Sequence, residues 1–147
     1  MCGKCWKGRP VPKKPKASSV TKRLDKLLSI AVRLRDTDDY GNGHCCTCGC
    51  LLKYEDSDAG HFIGRGRFGT RYDLRNVALQ CRICNRGEGK QPEFYEYVLG
   101  RYGREVMDEL KRLCTRHAPD LDLDVIRATL LAEIAKHCSQ KMFNVKL

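Results

Sequence analysis

At 147 residues the chain is long enough for one domain and a modest core, and too short for several. No apolar run approaches the ~20 residues that a spanning helix needs, so a helical membrane protein is excluded. The start, "MCGKCWKGRPVPKKPK", has neither an apolar stretch nor a cleavage pattern, so the ten cysteines are expected as metal ligands or spare thiols in a reducing cytoplasm, host cytoplasm if phage-encoded.

The net charge of +10 is unevenly spread. Residues 1–36 carry eleven Lys/Arg against only Asp25 and Asp36, while the other 111 residues are close to balance. Within that remainder a second basic block, Arg65, Arg67, Arg71, Arg75, Arg82, Arg86 and Lys90, faces only Asp73 and Glu88. Two basic blocks suit a polyanion, and DNA is the expected partner. A basic surface without a partner would have the same pI.

In chain order, residues 1–18 are rich in Lys, Pro and Gly and are expected as a flexible basic arm. Val20, Leu24, Leu27, Leu28, Ala31 and Leu34 then recur at helical spacing, which predicts an amphipathic helix over 19–36. "DTDDYGNG" ends it in turns. Residues 45–90 form a cysteine-, glycine- and arginine-rich module, with short strands expected at 59–63 and 77–79. Between them "GRGRFGTRYDLR" reads as a loop, because three glycines work against a helix. From residue 92 to about 140 the pattern is helical again. Two helices are broken near Gly100–Gly103, and a third has acids at its start and a stripe of Leu123, Ile126, Leu130 and Ile134.

Cys45-x-x-Cys48-Gly49 and Cys81-x-x-Cys84 are two halves of a zinc site. Each pair can grip one tetrahedral ion, and glycine after the second cysteine permits the tight turn. A module of this size is marginal on hydrophobic burial, so structural zinc, worth on the order of 10 kcal/mol, can decide whether it folds. Four thiolates around Zn²⁺ leave no open position, so catalysis must reside elsewhere. Cys46 and Cys50 are expected as spares. Cys114-x-x-His117 raises a second zinc, a Cys₃His site completed by Cys2 and Cys5, with His137 and Cys138 as further candidates; the blander reading is an exposed helix end and a buried thiol.

His61, in "DAGHF", is the histidine inside the module, with an acid nearby and arginines after it. Hydrolysis of a phosphodiester needs a base for water and a cation on the phosphate. Imidazole suits the first task, and the oxygens of Asp58 and Asn85 suit Mg²⁺ or Mn²⁺. The blander readings are a satisfied structural histidine, a turn-capping Asn76 and a helix-starting Asn85.

"DAGHF", "RNVALQC" and "CRICNRGEGK" together resemble the zinc-stapled HNH, or ββα-metal, endonucleases. More narrowly, residues 19 to about 137 resemble the phage NinG/Rap recombination endonucleases, with a helix, then CxxCG, DAGH and CxxCN, then a helical tail. The resemblance implies an α+β fold, with a zinc-stapled ββα-metal module flanked by an N-terminal helix and C-terminal helices. It implies His61 as the base, Asn76 orienting the water and Asn85 on the metal. It also implies branched substrates, Holliday junctions and D-loops, for which a homodimer would offer two sites. A departure is Gly60, where many HNH sites carry a metal ligand. Asp58 lies two residues earlier on the same strand face, about 7 Å away, and is expected to take that role across the space glycine leaves. Arg65, Arg67 and Arg71 are expected to grip phosphates. The alternatives are an HNH nicking enzyme without junction preference and a non-enzymatic zinc DNA-binding module.

Overall fold

The structure is a computed structural model that describes residues 18–87, 91–116 and 121–145. The basic arm, save Ser18, lies outside these residues, as do Cys2, Cys5 and His117. The chain is a mixed α+β protein. Helix α1 (Ser19–Arg35) is followed by two short strands, β1 (Asn42–His44) and β2 (Leu51–Lys53), and a 3₁₀ turn at Tyr54–Asp56. Strand β3 (Ser57–His61), helix α2 (Phe68–Arg71), a 3₁₀ turn at Leu74–Asn76, strand β4 (Val77–Cys81) and helix α3 (Arg82–Arg86) come next. Helices α4 (Gln91–Leu113) and α5 (Leu123–Cys138) complete it.

Helix α1 starts where Ser18 Oγ accepts the Thr21 amide at 3.2 Å, a side-chain cap on an otherwise orphaned donor. Its apolar stripe buries Leu24, Leu28, Ala31 and Leu34 as expected, but Ile30 and Val32 are buried too. The last turns are covered on several sides, since α1 packs against both β3 and β4 and against α5. Strand β3 pairs antiparallel with β4, from Ser57 opposite Cys81 to His61 opposite Val77. All five residues of β4 are buried. Val77 joins the core of α1 and α5, and Ala78 joins a second core with Phe94, Val98, Met107 and Leu110 of α4. A strand covered on both faces reads as a continuous apolar run, which "VAL" does.

Three local features differ from expectation. Strands β1 and β2 form a hairpin that the sequence did not announce, in register from Asn42–Lys53 to His44–Leu51. The glycine-rich loop contains the single turn α2, despite Gly69 within it. Gly69 lies against α4, and a Cβ there would sit 1.8 Å from the Leu113 carbonyl oxygen, so the turn is fixed by close approach rather than by helix propensity. Helix α4 breaks at Gly103 (φ 82°), inside the interval where a break is expected. The α5 stripe is divided. Leu130 and Ile134 are buried, whereas Leu123 is 42% exposed.

Candidate functional site

The Sγ atoms of Cys45, Cys48, Cys81 and Cys84 all lie within 4.8 Å of one another, the cluster of a tetrahedral ion. The first pair sits in the β1–β2 turn, where Gly49 takes φ 72° and its amide bonds the Cys45 carbonyl at 2.9 Å. The second pair straddles the end of β4. Cys81 closes the strand, and its sulfur caps α3 by accepting the Cys84 amide at 3.4 Å. Soft sulfur donors at this spacing fit Zn²⁺. Cys46 stands apart as a half-buried packing residue, its thiol pushed up to about 12 by burial. Of the suggested second zinc site only Cys114 is described. Its sulfur donates to the Lys111 carbonyl at 3.0 Å, and no cluster of three or more metal-ligating side chains includes it among the described residues.

A second site lies beside the tetrad. A cleft of about 500 Å³ is lined by Asp58, Ala59 and His61 of β3, Asn85 and Arg86 of α3, and Gly64 and Arg65 of the loop after β3. Asp25, Leu28 and Ser29 of α1 close it. His61, Asp58 and Asn85 are thus brought together. Asn85 Nδ2 donates to Asp58 Oδ2 at 3.0 Å, which sets the amide beside the carboxylate.

His61 is fixed by its Nε2, 3.0 Å from the Arg71 carbonyl oxygen. A carbonyl can only accept, so Nε2 carries the proton and Nδ1 keeps its lone pair when the ring is neutral. Burial pushes the ring's pKa down to about 4, outweighing the Arg71 carbonyl, which favours the charged form. The imidazole is therefore neutral across the physiological range.

The structure places three residues away from their expected roles. Asn76 does not line the cleft and is fully buried. Its Oδ1 accepts the Ile63 amide at 2.8 Å, and its Nδ2 donates to the Ile63 and Thr70 carbonyls at 3.0 and 2.9 Å. The amide is spent on pinning the loop between β3 and β4. Arg71 is likewise no free phosphate grip. Its guanidinium makes two bonds to Asp25, at 2.9 and 2.6 Å, and a third to the Arg65 carbonyl at 3.0 Å. Arg65 and Arg67 are exposed as expected. Gly60 does not make space for Asp58. A Cβ there would stand 1.8 Å from Gln80 Oε1, because the Gln80 side chain lies across Gly60 to bond Thr47 Oγ1 at 2.6 Å. The glycine seats a strut between β4 and the cysteine turn.

Sequence reading did not single out Asp25 or the cleft-lining role of Arg86. Asp25 left a signal, being the lone acid before Asp36 in an otherwise basic segment. Its partner, 46 residues away, left none.

The family model described as Bacteriophage Lambda NinG protein matches residues 4–139. The chain belongs to the NinG family. Among curated members, protein ninG of Escherichia phage 933W and protein ninG of Enterobacteria phage VT2-Sa are each 30% identical over 98 residues, 65% of this chain and 46% of theirs. Protein ninG of Escherichia phage lambda is 29% identical over 98 residues, with the same coverage. The chain spans about half the length of these NinG relatives. No solved structure matches it. Among the described residues, no helix is long and apolar enough to cross a membrane.

Proposed function

We propose that the cleft is the active centre of a metal-dependent DNA endonuclease of the HNH, ββα-metal type, acting on branched recombination intermediates. One observation carries this reading. Strands β3 and β4 and the helix that follows bring His61, Asp58 and Asn85 to one cleft, and the cysteine tetrad is built from other side chains.

The chemistry follows from the donor atoms. Water attacking phosphorus must lose a proton, and His61 Nδ1 holds the free lone pair that takes it. The Asp58 carboxylate and the Asn85 amide oxygen are hard donors, few enough to leave a hydrated Mg²⁺ or Mn²⁺ most of its water. Such an ion, when bound, supplies Lewis acidity on the phosphate and the departing 3′ oxygen. Arg65 and Arg86 line the cleft and are exposed, so they neutralise phosphates beside the cut, with Arg67 extending the contact. Asn76 serves by holding the loop that carries Arg65. The tetrad holds zinc as a staple. Branched substrates follow from the resemblance to NinG/Rap recombination endonucleases, and two copies of the chain would suit a symmetric junction.

The test is Mg²⁺-dependent cleavage of a labelled four-way junction beside matched duplex, for wild type and His61→Ala. Junction cleavage lost in the variant, with binding retained, supports the base and the substrate class. Equal cutting of both substrates keeps the nuclease and removes the junction preference. Tight binding with no cleavage by either protein in Mg²⁺ or Mn²⁺ leaves a zinc DNA-binding module.

A further inference from the structure

Helix α1 lies outside the cysteine module in sequence, yet it contributes Asp25 to the cleft and to the Arg71 guanidinium. The pairing is two-pronged, Nε to Oδ1 at 2.9 Å and Nη2 to Oδ2 at 2.6 Å, with the Arg71 side chain 11% and Asp25 23% exposed. Such a fork fixes orientation as well as distance. The third arm of the guanidinium, Nη1, holds the Arg65 carbonyl at 3.0 Å. The backbone carbonyl of Arg71 itself accepts from His61 Nε2 at 3.0 Å. Arg71 also lies over the rings of Phe68 and Tyr72, 5.2 and 5.7 Å from their centroids, which limits its other rotamers.

We infer that Asp25 and Arg71 are positioning residues, through which α1 sets both the tautomer of His61 and the place of Arg65 at the cleft. This deepens the nuclease reading and rests on it for its catalytic consequence. The causal chain is short. The Asp25 carboxylate locks the guanidinium, and the guanidinium and Tyr72 packing lock the α2 backbone. The Arg71 carbonyl then stays where only an Nε2–H ring satisfies it. Without the carboxylate that carbonyl is free to move, and the ring can populate the other tautomer, whose lone pair is on Nε2. A base presented on the wrong nitrogen, or shifted by an ångström, loses roughly 100-fold in rate. Ground-state binding to DNA does not depend on the tautomer, and Arg65 is one of several phosphate contacts, with Arg67 and Arg86, so kcat should fall far more than KM changes.

The experiment uses the full zinc-loaded chain as wild type, Asp25→Asn, Asp25→Glu, Arg71→Lys and His61→Ala. Nitrogen-15 NMR of the histidine rings, assigned by His61→Ala, reports which ring nitrogen carries hydrogen. Cleavage of the labelled four-way junction gives kcat and KM. The expected result has four parts: a single Nε2–H signature in wild type, a mixed signature in Asp25→Asn and Arg71→Lys, kcat lower by about 10- to 100-fold with KM within twofold, and substantial recovery in Asp25→Glu. Zinc content should match wild type throughout. An unchanged tautomer and kcat in Asp25→Asn would overturn the inference. So would loss of zinc and fold in both Asp25→Asn and Arg71→Lys, since the pair would then support the whole module rather than the base. If wild type cuts no DNA but the tautomer still shifts with Asp25→Asn, the nuclease reading fails and the positioning of His61 stands.

Discussion

Replacement of Asn76 by alanine separates two roles that an amide near the candidate base could play. The side chain is fully buried and makes three hydrogen bonds to backbone, one from the Ile63 amide and two to the Ile63 and Thr70 carbonyls. A net contribution of about 1 kcal/mol for each gives ~3 kcal/mol, rising toward ~6 kcal/mol if the orphaned groups stay dry. Asparagine to aspartate should cost at least as much, because a carboxylate has no hydrogens for the two carbonyls and opposes them with charge. Urea denaturation of the zinc-loaded protein measures the loss, and amide exchange at Ile63 should accelerate with it. Cleavage should weaken in parallel, since the loop carrying Arg65 loosens. A destabilisation under ~1 kcal/mol together with a large fall in kcat would refute the clamp and return Asn76 to a role at the reacting water.

Three further outcomes follow. With His61 at about 4 in the folded state and ~6.5 unfolded, the native protein binds fewer protons between those values, so stability should fall as pH drops through that window, by up to about 3 kcal/mol. His61→Gln should flatten that part of the pH–stability curve, and the acid limb of kcat/KM in wild type should lie nearer 4 than 6.5. Metal analysis should find zinc held by the tetrad. Cys84→Ser or a strong chelator should remove it and unfold the module, whereas Cys46→Ser should keep it, because zinc binding is worth on the order of 10 kcal/mol. Arg65→Ala and Arg67→Ala should each reduce the salt dependence of duplex binding, the slope of log K against log salt, by ~0.9, while Arg71→Ala should leave that slope unchanged, because its guanidinium is held by Asp25 rather than by phosphate.

The features legible in sequence were those written within a few residues. Helical spacing marked α1, cysteine spacing marked the tetrad, and Gly100–Gly103 bracketed the break in α4. The strand pair could be placed because residues 59–63 and 77–79 are short apolar runs bounded by turn residues, although β3 runs over Ser57–His61 and β4 extends to Cys81. The hairpin at β1 was hidden because Asn42, Gly43 and His44 are poor strand formers. Pairing there is favoured by tertiary contact. Gly43 leaves no room for a Cβ beside the Asp36 carbonyl and the Leu79 side chain, each 2.6 Å from where it would lie. The arginines misled for a related reason. A run of positive charge looks uniform in sequence, yet Arg71 is bonded to Asp25 and Arg75 to Asp73 and Glu109, leaving Arg65, Arg67, Arg82 and Arg86 as the outward face among the described residues. Ion pairs across 46 or 34 residues have no local signature. Gly60 was noticed but given the wrong neighbour, since the Gln80 strut belongs to the opposite strand.

Cys81 ends β4, caps α3 and completes the metal cluster, and this triple use orders events while the chain is being made. Until Cys84 has left the ribosome, the turn at Cys45–Cys48 can offer only two thiolates. Closing the 32-residue interval between the pairs then costs about 3 kcal/mol in chain entropy, well below what a four-sulfur site returns. Metal capture by the tetrad would therefore coincide with the first turn of α3, and Asn85, the next residue along, would reach the cleft in the same step. On the proposed nuclease reading, a growing chain would carry no assembled cleft before zinc is bound.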